Sequence, residues 1–301
     1  MEVKHNIMHI EMVSNLIKFR TNLTSKLTIV SDESYKGKTA TLNLLKSFLD
    51  SKTVISCELP VILVENTTDL RDGCVLLIDE KFIEATSVKL LEFAFKNLES
   101  YFLIVTRYSF KSVPYSIDSI KKFSVVDSYN ILVTKYEPLY VNAINKLFEQ
   151  IYIEDSTTGL AFFKRINSNI VTTHGKDNYN IIPNNHKRTL FILDRCGFGS
   201  SIESLASRED FNKTLFVLDY ESFEAFILEL IRYPIVIPEL TYNKEQYYTE
   251  VLQRVMTRYT KSEKCRCIIN CSCNKDNCVC KGLLLNPTRM FAKSKYGGVM
   301  L

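Results

Sequence analysis

The sequence predicts an α/β protein with mostly parallel sheets, built as two tandem Rossmann-like halves followed by a small Cys-rich C-terminal segment. Two observations predict the halves. Short continuous apolar runs end in acidic residues, as buried parallel strands do, and amphipathic helical stretches separate them. The third observation is a group of six cysteines near the C-terminus.

The elements follow in order. Residues 27–30 read as a strand, the polar loop SDESYKGK follows, and residues 39–49 show helical spacing at Leu42, Leu45, Phe48 and Leu49. Residues 61–64 and 75–78 are strands, the second ending in Asp79-Glu80. A helix over 87–98 places Leu90, Leu91, Ala94, Phe95 and Leu98 on one face, and a strand over 101–105 is closed by Thr106-Arg107. Residues 108–146 form a connector with a turn at Pro114-Tyr115-Ser116 and a short strand at 131–133. The alternation then resumes. Strands at 151–153, 169–172, 189–193 and 214–218 lead to Glu154-Asp155, His174-Gly175-Lys176, Asp194 and Asp219, with helices over 159–166, 202–206 and 223–231. A helical stretch over 245–259 leads into the cysteine-rich segment. The expected domains are residues 1–125, 126–240 and 241–301.

Composition fits a globular chain: 46% hydrophobic and 24% charged residues, with only 9 Gly and 7 Pro among 301. Glu2, Lys4 and Glu11 interrupt the N-terminal apolar residues, which argues against a signal peptide. The apolar runs fall short of the roughly 20 residues needed to cross a bilayer. The expectation is a cytoplasmic protein with no membrane partner. Net charge is +4, yet residues 254–301 hold ten Lys or Arg against Glu263 and Asp276. Such a basic segment on an acidic body points either to nucleic acid or to a solvated tail.

The turn Asp32-Glu33-Ser34-Tyr35-Lys36-Gly37-Lys38-Thr39 lies between a strand and a helix. In a P-loop, backbone amides cradle phosphates, the Lys reaches the outer phosphates and the hydroxyl holds Mg²⁺. Gly37, Lys38 and Thr39 match that pattern. Asp32 replaces its first Gly and, with Glu33, adds negative charge where an anion would sit. Asp79-Glu80 is placed like the metal-holding Asp of a P-loop enzyme and its water-positioning acidic neighbour, and Thr106 like a polar sensor. The half therefore resembles a P-loop NTPase domain with a degenerate loop. The resemblance implies ATP and Mg²⁺ bound by Gly37, Lys38, Thr39 and Asp79, with Glu80 as a catalytic residue.

In the second half, Glu154, Asp194 and Asp219 stand at strand ends, where open α/β sheets place their sites. Carboxylates there suit Mg²⁺. Alternatively, Asp194 and Asp219 cap the helices that follow. His174 is a better site candidate than His5 or His9, though a lone loop histidine is more often simply polar. The order of elements resembles the toprim fold of topoisomerases, primases and the overcoming-lysogenization-defect nucleases, which pair a P-loop ATPase domain with a toprim domain. That resemblance implies Glu154 as acid or base and Asp194 as the first of a metal-holding Asp-x-Asp pair. Cys196 occupies the second position, and Asp219-Tyr220-Glu221 follows one strand later. The chain is also similar to uncharacterised clostridial-type ATPase-like proteins, through the Thr-Arg after a buried strand, Pro-Tyr-Ser, Glu-Asp-Ser-Thr-Thr-Gly and Tyr-Glu-Ser-Phe-Glu.

Of nine cysteines, Cys57, Cys74 and Cys196 sit in or beside apolar runs and read as core residues. Cys265, Cys267, Cys271, Cys273, Cys278 and Cys280 form three Cys-x-Cys pairs. In a reducing compartment such a cluster points to metal, and Lys264, Arg266, Lys275 and Lys281 favour thiolates. Six thiolates overfill one tetrahedral zinc. One Cys₄ zinc with two spare thiols, a shared two-metal cluster, Cu(I) and a metal-free loop all stay open.

Two functions follow. One is an ATP-like, Mg²⁺-dependent nucleotide-binding protein with a DNA-directed toprim-like site, an ATPase or Mg²⁺-dependent nuclease that grips nucleic acid through its basic tail. The other is a non-catalytic interaction module in which both folds are vestigial.

Overall fold

The computed structural model describes residues 7–13, 18–31, 43, 45–47, 54–136, 148–164, 168–184, 187–211, 215–217, 221–230 and 233–258. It is a mixed α/β protein whose sheets are mostly parallel. The chain divides into two compact units, residues 1–137 with 236–244, and residues 138–235 with 245–301. The Gly37-Lys38-Thr39 turn, Asp219 and the six clustered cysteines lie outside the described residues.

Among its described residues the first unit holds nine strands: β1 (Met8–Val13), β2 (Lys18–Leu23), β3 (Leu27–Val30), β4 (Val54–Ser56), β5 (Val61–Leu63), β6 (Val75–Asp79), β7 (Tyr101–Val105), β8 (Ile120–Val126) and β9 (Tyr129–Thr134). They form one sheet in the order β4-β1-β2-β9-β8-β3-β7-β6-β5. The run β8-β3-β7-β6-β5 is parallel throughout. β2 also pairs with β9 in parallel, whereas β4-β1-β2 and β8-β9 are antiparallel.

Every residue of β6 and β7 is buried because both faces of these strands are covered. On one face Val75, Leu77, Leu103 and Val105 join a core with Met8, Ile10, Met12, Phe19, Leu23 and Leu45. On the other, Phe95 of α2 (Val88–Asn97) meets Phe102 edge-on at 4.9 Å and Phe110 at 5.4 Å. Leu91, Ala94 and Phe95 are the buried stripe of α2, while Leu90 is 38% exposed and lies at its margin. α1 (Glu80–Ala85) follows β6 directly.

This sheet is larger than the first half read from sequence. β1 and β2 fall where the sequence reading assigned no strand. The segment 131–133, expected in a connector beyond residue 125, belongs to β9 and pairs with β8. The first unit therefore extends to residue 137. The hairpin turns through Asp127 and Ser128, both left-handed with φ of 50° and 69°, which matches the right-handed twist of the flanking strands.

The second unit holds a wholly parallel sheet, β11-β10-β12-β13, made of β10 (Gln150–Ile153), β11 (Val171–Thr172), β12 (Thr189–Ile192) and β13 (Leu215–Val217). Its helices are α3 (Thr158–Phe163), α4 (Gly199–Ala206), α5 (Phe223–Leu230) and α6 (Lys244–Arg258), the last belonging to this unit from Glu245 onward. Phe162 and Phe163 of α3 pack on Phe223 and Phe226 of α5 at centroid distances of 5.6 to 6.4 Å. Arg208, just past α4, binds Asp210 through two nitrogens at 2.9 and 2.8 Å. It also donates to the carbonyls of Tyr179 and Ile182 at 3.2 and 2.7 Å. This anchor ties down the 3-10 turn Lys176–Ile181.

Candidate functional site: a carboxylate pair on the second sheet

β10 and β12 are parallel neighbours in register, with Ile153 opposite Ile192. The chain leaves β10 at Glu154 and β12 through Leu193 to Asp194, so the two acids emerge side by side at the carboxyl ends of the strands. The backbone fixes the arrangement. Glu154 N–H donates to the carbonyl of Ile192 at 2.9 Å, and Asp194 N–H donates to Glu154 Oε2 at 3.0 Å. One acid thus holds the other's backbone in place.

Four further acids act on this pair, among them Asp177 of the 3-10 turn Lys176–Ile181, whose charge adds to the repulsion at Glu154. Glu224 lies in the first turn of α5. Asp155 follows Glu154, and Glu245 comes from α6. A side chain at Gly197 would collide with Glu245 Oε2, so the bare glycine leaves the room that this carboxylate occupies. α6 is held in place by Tyr248, whose hydroxyl donates to Glu221 just ahead of α5. Burial and the Glu221 carboxylate push the Tyr248 phenol far above its ordinary range.

The crowding changes proton affinity. Burial, followed by repulsion from Glu245, pushes Glu154 up to about 7, against the opposing pull of the Asp194 amide and the Lys176 ammonium. Burial and the charges of Glu154, Glu224, Glu245 and Asp155 hold Asp194 well above the usual carboxylate range. Glu224 is raised too, chiefly by burial. Glu154 and Asp194 are therefore a coupled pair that retains protons where ordinary carboxylates have lost them.

The loop after β11 closes one side. His174 is exposed with a left-handed φ of 58°, and Gly175 follows at φ 118°. Gly175 N–H donates to the Glu154 carbonyl at 3.0 Å, and His174 N–H donates to Thr172 Oγ1 at 2.9 Å. These bonds set Lys176 near Glu154.

Asp194 does not cap the helix that follows it, and Asp219, the other expected cap, lies outside the described residues. Asp155, not Asp194, accepts the amides of Thr157 and Gly159 at the start of α3, both at 2.7 Å. The residue before α4 is Phe198, and Asp194 contributes only its carbonyl, to Gly197 N–H at 3.0 Å. Cys196 is buried and its N–H donates to the Glu221 carbonyl at 3.0 Å.

Asp79 and Glu80 belong to the first unit. Asp79 caps α1, with Oδ1 accepting Phe82 N–H at 2.9 Å, and Oδ2 lies 3.3 Å from Lys46 Nζ. Glu80 Oε1 accepts Arg107 Nε–H at 2.8 Å and Arg107 N–H at 3.2 Å. Thr106 is buried, and its Oγ1 accepts Tyr108 N–H at 2.9 Å. Of the predicted acids, Glu154 and Asp194 are brought together. Glu224 and Glu245 were missed, since no local spacing links them to β10 or β12. Gly197, three residues after Asp194, was the one sequence sign of a close approach.

Among the described residues, no group of three or more His, Cys, Asp or Glu side chains is disposed to hold a metal ion by itself, and no helix is long and apolar enough to cross a membrane. A carboxylate pair nevertheless matches the habit of Mg²⁺, which takes one or two carboxylates and completes its shell with water and substrate phosphate. No protein-family model, curated protein or solved structure compared with this chain matches it. The protein is thus defined by its own fold and site: a mixed α/β protein with a proton-holding carboxylate pair at the carboxyl edge of a parallel sheet.

Gly197→Ala tests the placement of Glu245. The new methyl group displaces the end of a flexible side chain, so stability should change by no more than about 1 kcal/mol. Moving Glu245 away removes repulsion, and the Glu154 pKa should fall below its wild-type value. A carboxyl-carbon NMR titration of the two proteins checks this.

Proposed function

We propose that this protein is a Mg²⁺-dependent, nucleic-acid-directed protein whose working site is the Glu154–Asp194 pair, in a second half of toprim-like character. Its first half is a degenerate P-loop NTPase-like domain, with Gly37, Lys38 and Thr39 as the nucleotide-binding residues. The observation that carries the reading is the 3.0 Å bond from Asp194 N–H to Glu154 Oε2, at the carboxyl ends of adjacent parallel strands. Asp194 and Glu154 would hold Mg²⁺, with Asp219 as a further ligand. The ion supplies charge neutralisation at a phosphodiester. Glu154, with a proton affinity poised near neutrality, is suited to take or give a proton at the reacting oxygen. The basic segment 254–301 supplies phosphate contacts, and its cysteines a structural zinc site.

A second reading, a non-catalytic interaction module, draws support from the first unit, where Asp79 and Glu80 are already engaged by Lys46 and Arg107. Incubation of the protein with single-stranded and supercoiled DNA in Mg²⁺ separates the two. The first reading expects cleavage that EDTA abolishes and that Glu154→Gln or Asp194→Asn slows at least about 100-fold. Cleavage unchanged in both variants contradicts it, and no cleavage by the wild type favours the interaction module.

A further inference from the structure

The end of β6 carries a buried carboxylate that the Glu154–Asp194 pair does not use. The Asp79 side chain is 10% exposed, and that of Lys46, in the helical residues 45–47, is 35% exposed. Both oxygens of Asp79 have protein partners: Oδ1 the Phe82 amide at 2.9 Å, Oδ2 the Lys46 ammonium at 3.3 Å. The fold dictates this. Asp79 continues the face of β6 that carries Val75 and Leu77, and Leu45 packs on that same face, so its neighbour Lys46 reaches the strand end.

A P-loop-like first half implies Mg²⁺ at Asp79, and the residues present do not fit that ion. Mg²⁺ needs an oxygen at about 2.0–2.1 Å and a near-octahedral shell. One oxygen is spent on the first turn of α1. At the other, the ion would meet an ammonium group in a partly desolvated place, where repulsion is poorly screened. A buried carboxylate needs a compensating cation, and the chain provides one.

We infer that Lys46 is a built-in cation that takes the place of a divalent metal at Asp79, so that this strand end needs no divalent ion. This goes deeper into the proposed P-loop-like half, but its test requires no nucleotide. Mn²⁺ serves as the probe, counted by electron paramagnetic resonance in the full chain carrying Glu154→Gln and Asp194→Asn. That background removes the proposed ion site of the second unit, so failure there is read separately. Adding Asp79→Asn to the background should leave the count of bound Mn²⁺ unchanged. Lys46→Gln should add one bound ion per chain, lost again when Asp79→Asn is combined with it. Lys46→Arg, which keeps the cation, should add none. An Asp79-dependent ion already bound with Lys46 present overturns the inference, as does a folded Lys46→Gln protein that gains no site.

Discussion

Glu154→Gln is expected to be more stable than the wild-type protein at pH 8, by on the order of 3 kcal/mol, and no more stable at pH 4. The unfolded chain releases the Glu154 proton near 4.5, whereas the folded chain holds it to about 7. Below pH 4.5 both states are protonated and the carboxyl costs nothing. Between the two values only the unfolded state has let its proton go, so wild-type stability falls as pH rises, at about 1.4 kcal/mol per unit. Above 7 the loss is complete. A glutamine has no proton to release, still accepts the Asp194 amide through its oxygen, and adds no charge to repel Asp194. Urea unfolding from pH 4 to 8 checks this. Parallel curves for the two proteins would contradict it. Mg²⁺ should narrow the gap at pH 8, since an ion bound only by the folded wild type stabilises it by mass action.

Arg208→Met is expected to destabilise the second unit by about 3–5 kcal/mol, the usual cost of removing one partner of a buried ion pair. The Arg208 and Asp210 side chains are 14% and 4% exposed, so water cannot readily replace what the guanidinium provides. The same group holds the carbonyls of Tyr179 and Ile182, at the end of the turn that begins at Lys176. Its loss should therefore also loosen the loop beside Glu154. Chemical denaturation measures the first effect, and amide hydrogen exchange over residues 174–182 the second. The double variant Arg208→Met, Asp210→Leu should recover part of the stability but not the exchange protection, because the two carbonyls remain without their donor. If the single variant is as stable as the wild type, the pair does not anchor the unit.

The parts of the fold legible in the sequence are those where one physical signal acts alone. β6, β7 and β12 are continuous apolar runs because both faces are covered. Glu154 and Asp194, the acids just after β10 and β12, mark the carboxyl edge of that sheet. β1 and β2 alternate instead, burying Met8, Ile10 and Met12, then Phe19, Thr21 and Leu23. Glu11, Lys18 and Arg20 occupy the other face and broke up the apolar pattern. The β8–β9 turn lacks the Asn-Gly or Asp-Gly that marks such hairpins, since Asp127 and Ser128 reach positive φ without a glycine. At the site, the pairing of Glu154 with Asp194 follows from strand order. The roles of neighbouring acids do not. Asp155 and Asp194 both precede helices, yet only Asp155 caps, because Phe198 intervenes before α4. Glu245 reaches the site only through the packing of α6, which no local pattern encodes.

In the proposed function, Glu154 and Asp194 form one site that holds either protons or a divalent cation. Calorimetric titration of the full chain with Mg²⁺ at pH 6 and pH 8, each in two buffers of different ionisation enthalpy, tests this most directly. The predicted result is tighter binding at pH 8 and, at pH 6, proton release on binding, with both features absent in the Glu154→Gln, Asp194→Asn protein. An affinity that does not change with pH, or a pH-dependent affinity retained by that double variant, would contradict it.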